Sequence, residues 1–230
     1  MLALLFDIHG NLPALEAVLD DAREAGAERY LLGGDYAVFG GWPAEAVARL
    51  RDLPDAVWIR GNVDRWAAGI GDVPDGEPAA SAIASVHELV DAETIAWLGA
   101  RPESAGIGHE TRAWHASPKT DLISFRPEPE ADEPSLLEGV TDRRIVFGHY
   151  HQAFARVGAH EIELVGPGAV GMPLDGDHRA AWGLMHDDGR IELRRVAYDH
   201  AASAAQVREV AAGAPWGETV ARRLEVAGLV

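Results

Sequence analysis

The chain has 230 residues, with 20 Lys and Arg against 37 Asp and Glu for a formal charge of −17, ten His and no Cys. The lack of cysteine excludes a disulfide scaffold, a thiolate zinc site, an Fe–S cluster and a thiol nucleophile. A charge of −17 argues against a stable nucleic-acid complex or an anionic membrane partner, since both need a cationic surface, but a phosphate group can still be held by charge borrowed from metal ions.

In chain order, Leu2–Phe6 is a short apolar run ending in Asp-Ile-His-Gly-Asn, which suits a buried parallel strand feeding a functional loop. It is too short for a secretory leader. No apolar run nears the roughly 18–20 residues of a membrane span, so a cytoplasmic location is expected. Leu15, Val18, Leu19 and Ala22 follow helical spacing, with Asn11 as N-cap, Pro13 in the first turn and Gly26 after the last. Tyr30–Leu32 predicts a second strand ending in Gly33-Gly34-Asp35, Pro43–Leu50 a second helix, and Ala56–Ile59 a third strand ending in Arg60-Gly61-Asn62-Val63-Asp64. This β-α-β-α-β order implies right-handed crossovers and places the polar loops at the carboxyl ends of the strands, where such sheets bind ligands.

Ala79–Val90 and Ala92–Leu98 are expected to be helical, and Thr111–Ala116 to be a strand holding His115. Pro127–Asp142, with six acidic residues and three prolines, reads as a solvated loop with a short helix at most. Arg144–Phe147 is a further buried strand, ending in Gly148-His149-Tyr150-His151. Glu161–Val165, Ala180–His186 and Ile191–Val196 are expected to be antiparallel strands, with a hairpin turn at Asp188-Gly189. From Ala201 the chain reads as helical, broken near Gly213-Ala214-Pro215. There is no internal repeat and no linker, so one domain over 1–230 is expected.

Residues two apart on a strand point to the same side. Asp7 and His9 have that spacing, as do His149 and His151, so each pair could present two ligands to one point. Aspartate, histidine and asparagine offer nitrogen and oxygen but no sulfur, a set suited to Mn²⁺, Fe²⁺, Zn²⁺ or Ni²⁺ rather than Ca²⁺ or Mg²⁺. Each block alone is weak: Gly-Asp and Gly-Asn-Val-Asp are ordinary turns, and a single His is most often a core residue.

Taken in order, the five blocks Asp7-Ile8-His9, Gly34-Asp35, Gly61-Asn62-Val63-Asp64, His115 and Gly148-His149-Tyr150-His151 closely resemble the calcineurin-like metallophosphoesterase pattern. The stretch from Gly166-Pro167-Gly168-Ala169-Val170-Gly171 through Asp177 and Arg179 is similar to the bacterial diadenosine-tetraphosphatase-like, small phosphodiesterase branch. The resemblance implies an α/β fold, a four-layer α/β/β/α sandwich of two facing mixed β-sheets flanked by helices. It also implies two divalent transition metal ions, with Mn²⁺ favoured over Fe, Zn or Ni. One would take Asp7, His9, Asp35 and His151; the other Asp35, Asn62, His115 and His149, with Asp35 bridging. The implied activity is hydrolysis of phosphate mono- or diesters, on small nucleotide or aryl phosphates, by a metal-bridging hydroxide. Protein phosphatase activity and a non-catalytic scaffold are the alternatives, and seven suitable residues at the seven ligand positions disfavour the scaffold.

One position departs from the pattern. Where the family has a His that assists the leaving oxygen, this chain has Val63, which transfers no proton. Tyr36, Arg65 or water could assist in its place, beside Asn62 and Asp64, although Asp64 is better suited to bracing its loop. Arg179 and His178 are candidate substrate contacts, and Trp42 and Trp66 could flank a base or aryl group. The one lysine, Lys119, belongs to no P-loop, and no Gly-x-Ser-x-Gly elbow occurs.

Overall fold

In a computed structural model that describes residues 1–73 and 78–230, the first half of the chain alternates strand and helix. Strand β1 (Leu2–Leu5) leads to α1 (Leu12–Glu24), β2 (Arg29–Leu32), α2 (Pro43–Arg51), β3 (Ala56–Trp58) and α3 (Asn62–Ala67). Then come α4 (Ala79–Leu89), α5 (Ala92–Gly99), β4 (Ser104–Gly108), β5 (Thr111–Trp114), α6 (Glu133–Leu136) and β6 (Arg144–Val146). The chain closes with β7 (Ala153–Val157), β8 (Glu163–Pro167), β9 (Ala180–Met185), β10 (Ile191–Val196), α7 (His200–Ala211) and α8 (Pro215–Val226).

The described strands form two five-stranded mixed sheets, ordered β10-β9-β1-β2-β3 and β4-β5-β6-β8-β7. In the first, β1, β2 and β3 are parallel and the β9–β10 hairpin adds antiparallel strands. In the second, β5, β6 and β8 are parallel, while β4 and β7 are antiparallel edges. Strand alternation builds the layers. Ala3 and Leu5 of β1 face the helices, where Leu15, Val18, Leu19 and Ala22 of α1 bury their stripe. Leu2 and Leu4, with Phe6, face the other sheet and meet Ile107, Ala113, Val146 and Val165. The outer face of the second sheet, with Ile145, Phe147 and Leu164, is covered by Phe125, Leu136, Leu137 and Ile162. Helices thus flank both sheets, but the second outer layer is thin: α6, a 3-10 turn at Ala159–Glu161 and loops.

Several expectations are met closely. The Asn11 side chain caps α1, accepting from the Ala14 amide at 3.4 Å, and α7 and α8 are separated at Ala212–Ala214, Ala212 adopting φ 49°. Other details differ. The strand expected at Glu161–Val165 runs from Glu163 to Pro167 and is parallel to β6, antiparallel only to β7. The chain leaves β6, runs along the edge as β7 and returns between the two. β7 escapes the sequence reading because an edge strand with partly exposed residues carries no continuous apolar run. Gly61-Asn62-Val63-Asp64, read as a turn, opens the short helix α3.

Candidate metal centre

The carboxyl ends of β1, β2, β3, β5 and β6 converge across the two sheets, and each contributes a polar loop. Asp7 and His9 follow β1, Asp35 follows β2, Asn62 starts α3 after β3, His115 follows β5, and His149 and His151 follow β6. The loops are stitched together by backbone hydrogen bonds. The Asp7 amide donates to Gly34 O at 3.2 Å, His9 N to Asp35 O at 2.8 Å, Gly148 N to His115 O at 2.8 Å and Gly171 N to Asp7 O at 2.9 Å.

The convergence does not come from strand alternation. Asp7, His9, Asp35, His149 and His151 lie beyond the strands in left-handed backbone, at φ 54°, 47°, 59°, 74° and 57°. Non-glycine residues avoid this region, and its repeated use at one place marks a locally strained functional loop cluster. Two glycines make room. A Cβ on Gly61 would stand 2.1 Å from Asp35 Oδ1, and one on Gly148 would stand 2.6 Å from Asp7 Oδ2.

All seven candidate ligands meet. His9 Nε2 and His151 Nε2 are 3.2 Å apart. His151 Nε2 lies 3.6 Å from Asp7 Oδ1, and His9 Nε2 lies 3.8 Å from Asp35 Oδ2. His115 Nε2 is 3.4 Å from Asp35 Oδ2 and 4.0 Å from Asp7 Oδ1. Asn62 Oδ1 is 3.0 Å from both His115 Nε2 and His149 Nδ1. The far nitrogen of each ring is held by a carbonyl: His9 Nδ1 donates to Val38 O, His115 Nδ1 to Gly33 O, His151 Nδ1 to Met172 O and His149 Nε2 to Leu122 O. Such outer contacts fix the tautomer and aim the other nitrogen inward.

Burial governs the charges. It lowers His9 and His151, the latter well below the usual imidazole range, and with the nearby His115 it brings His149 down to about 4. These three rings are therefore neutral, the form that ligates. Burial also opposes charge on His115, but the Asp35 carboxylate outweighs it and raises the ring to about 10. Asp35 in turn is held below the usual carboxylate range, since His115 and His9 more than offset its burial. Asp7 is pushed up to about 8, chiefly by burial. Two carboxylates, an amide oxygen and inward-facing imidazole nitrogens in a buried cluster form a donor set that fits a divalent transition ion.

The other candidates are placed elsewhere. The Asp64 carboxylate is occupied by three backbone amides, those of Asp35 at 2.8 Å, Tyr36 at 3.0 Å and Gly61 at 2.8 Å. Tyr36 is fully buried among core side chains, its hydroxyl 2.7 Å from Leu32 O and 2.5 Å from Ile59 O, so it faces away from the cluster. Arg65 is clamped on Asp121 by two hydrogen bonds of 2.6 and 3.0 Å. Arg179 is an exposed partner of Asp177, and His178 stacks on His200 at 4.3 Å; neither lines the cavity beside the cluster. That cavity, of about 310 Å³, is walled by Val63, Trp66, Phe39, Tyr150, Arg126 and Arg223 among others; Trp42 is not part of it. Trp66 was expected there; Tyr150 was not singled out, although it sits between two motif histidines. Arg126 and Arg223 have no local signal, because a loop and a distant helix carry them in.

Among the described residues, no helix is long and apolar enough to cross a membrane. Residues 1–188 match the model of the calcineurin-like phosphoesterase superfamily domain. An uncharacterised protein of Methanocaldococcus jannaschii is 30% identical over 218 residues, 86% of this chain and 88% of that one. A metallophosphoesterase from Sphaerobacter thermophilus superposes with a TM-score of 0.79 at 26% identity, covering 98% of both chains. A hypothetical protein from Pyrococcus horikoshii OT3 reaches the same TM-score at 20% identity over 100% of both, which speaks for the fold alone. By its loops, its paired sheets and this match, the chain belongs to the calcineurin-like phosphoesterase superfamily.

Proposed function

We propose that the protein is a di-metal phosphoesterase acting on small phosphate mono- or diesters. The observation that carries this reading is the meeting of Asp7, His9, Asp35, Asn62, His115, His149 and His151 at one buried point beside an open cavity. One ion would be held by Asp7, His9, Asp35 and His151, the other by Asp35, Asn62, His115 and His149. The spacings support this division: the His9–His151 pair and the His115–Asn62–His149 trio form two groups, with Asp35 within 3.8 Å of one and 3.4 Å of the other. When bound, two divalent ions, Mn²⁺ first and Fe, Zn or Ni next, lower the pKa of a water and neutralise charge on the phosphoryl oxygens.

The chain's own residues do the rest. The carbonyl-anchored imidazoles keep their ligating nitrogens turned inward. Asp64 braces the Asp35 loop against α3 through its three amide contacts. Apolar Val63 and Trp66 shape one wall of the cavity. Neither Tyr36 nor Arg65 is placed to replace the missing histidine as proton donor: Tyr36 faces away and Arg65 is tied to Asp121. Of the three candidates Tyr36, Arg65 and water, this leaves water to deliver the proton to the leaving oxygen.

The test is metal analysis of the purified protein together with hydrolysis of mono-aryl, bis-aryl, cyclic-nucleotide and dinucleotide esters with added Mn²⁺, Ni²⁺, Fe²⁺ or Zn²⁺. Turnover with at least one metal is expected, and Asp35→Asn should lose both bound metal and activity. No turnover with any metal, or an Asp35→Asn protein unchanged in metal and rate, overturns the reading.

A further inference from the structure

Among the described residues, six buried side-chain N–H groups make no hydrogen bond: Arg60 Nε, Trp66 Nε1, Trp114 Nε1, Arg126 Nε, Trp216 Nε1 and Arg223 Nε. Buried donors are normally paired. Three of the six belong to residues that line the cavity beside the candidate metal centre: Trp66, Arg126 and Arg223.

These three differ. The Arg126 guanidinium already has an anion, with Nε 3.0 Å from Glu130 Oε1, and it lies 3.9 Å from the centroid of the Tyr150 ring. Arg223 has no ion pair among the described residues, and burial alone acts on its guanidinium, pushing its pKa down. It sits in the last turn of α8, beside Leu224, which anchors the helix in the core. A last-turn arginine in solvent would complement the helix dipole. Here the side chain instead lines the cavity together with His9, Asn62 and His151. An unpaired, partly desolvated cation beside a substrate cavity is expensive unless an anion joins it. The donors left over are all N–H groups, so the missing partner is an acceptor. α8 also lies outside residues 1–188, the span matched by the family model.

We infer that Arg223 is a specificity-determining residue that binds an anionic group of the substrate, a second phosphate or a carboxylate, carried in addition to the phosphoryl group that reacts. The inference rests on the cavity being the substrate pocket of the proposed phosphoesterase. The guanidinium fork suits either anion, since both present two oxygens in a plane. A local cation also offsets the repulsion that a protein of charge −17 exerts on a multiply anionic ligand.

The test uses three phosphonates that no phosphoesterase cleaves: phenylphosphonate, 4-carboxyphenylphosphonate and benzene-1,4-diphosphonate. Their binding to the metal-loaded full chain is measured by calorimetry. A charge-assisted contact predicts that at least one doubly anionic probe binds about ten- to hundred-fold more tightly than phenylphosphonate, and which one gains identifies the anion. Arg223→Gln should remove that advantage and leave phenylphosphonate affinity unchanged, while Arg223→Lys keeps part of it. Equal affinity for all three probes in the wild type, or an Arg223→Gln variant that weakens all three alike, overturns the inference. Discrimination retained in a protein that hydrolyses no ester would support the role of Arg223 while refuting the phosphoesterase reading.

Discussion

Asp64 offers the sharpest test of whether a motif residue acts in chemistry or in positioning. Its carboxylate is 2% exposed and accepts from the amides of Asp35, Tyr36 and Gly61. Asp64→Ala would strand three buried N–H groups, each worth about 1–3 kcal/mol. Burial, aided by the neighbouring Asp35 charge, pushes Asp64 up to about 7 against the pull of the three amides; removing the side chain also relieves that burial cost, so the low end applies. The expected loss is about 3–5 kcal/mol, which in a chain of 230 residues lowers Tm by roughly 10 °C. Asp64→Asn should fall between. If its oxygen takes the place of Oδ2, it still serves Asp35 and Gly61, but its amide nitrogen then faces the Tyr36 N–H. In both variants the Asp35 loop loosens, so bound metal should fall together with Tm. Thermal denaturation with and without chelator, paired with metal analysis, reads both quantities. Should Asp64→Asn keep wild-type Tm and full metal while losing turnover, Asp64 would be a proton-transfer group and the bracing argument would be wrong.

Three further outcomes follow from named contacts. Gly61 has an unstrained φ of −99°, so Gly61→Ala acts only through its Cβ, which would meet Asp35 Oδ1 at 2.1 Å; metal content should fall by half or more, and wild-type stoichiometry would show that the loop gives way freely. With Val63 in place of a proton donor, aryl phosphates should turn over faster than alkyl ones, and Val63→His should raise only the alkyl rates, by at most the 10²–10⁴-fold typical of general acid catalysis; rates independent of leaving group would refute this. Glu133 holds Arg156 in an ion pair and accepts from the Ala159 amide at 2.9 Å, and these contacts outweigh its burial to keep the carboxyl below its usual range. A depressed native pKa gives stability that is present at neutral pH and lost as pH falls through the native value, so Glu133→Gln should cost about 1.5–3 kcal/mol at pH 7, with the Tm gap to wild type closing toward pH 3; a gap independent of pH would contradict the assigned ion pair.

The parallel half of the first sheet was legible because buried strands such as Leu2–Leu5 are continuous apolar runs and α1 carries its cap and stripe in plain order. The edges were not. β4 is Ser-Ala-Gly-Ile-Gly and β7 is Ala-Phe-Ala-Arg-Val, and neither has the density of buried side chains that marks an inner strand. Missing β7 also hid the topology, because a strand that returns between two others changes its partner's direction without changing its own composition. The seven candidate ligands were legible as residue types in order, yet the reason they meet was not. Two-residue spacing suggested alternation along a strand, whereas five of the seven sit in left-handed backbone just past the strand ends. Local sequence does not announce that conformation for aspartate or histidine; the crossed hydrogen bonds of neighbouring loops impose it.

The same distinction explains which site residues were missed. Asp64 and Tyr36 lie inside or beside motifs and look chemical, but their polar atoms are spent on backbone amides and carbonyls. Arg223 lies in no motif and looks decorative, yet packing of α8 brings it to the cavity without a partner. Proximity in sequence to a reactive group therefore says less than unspent hydrogen-bonding capacity in the folded chain. In a protein of charge −17, a cation left unpaired beside buried imidazoles is the more informative residue, since so many carboxylates were available to neutralise it and none among the described residues does.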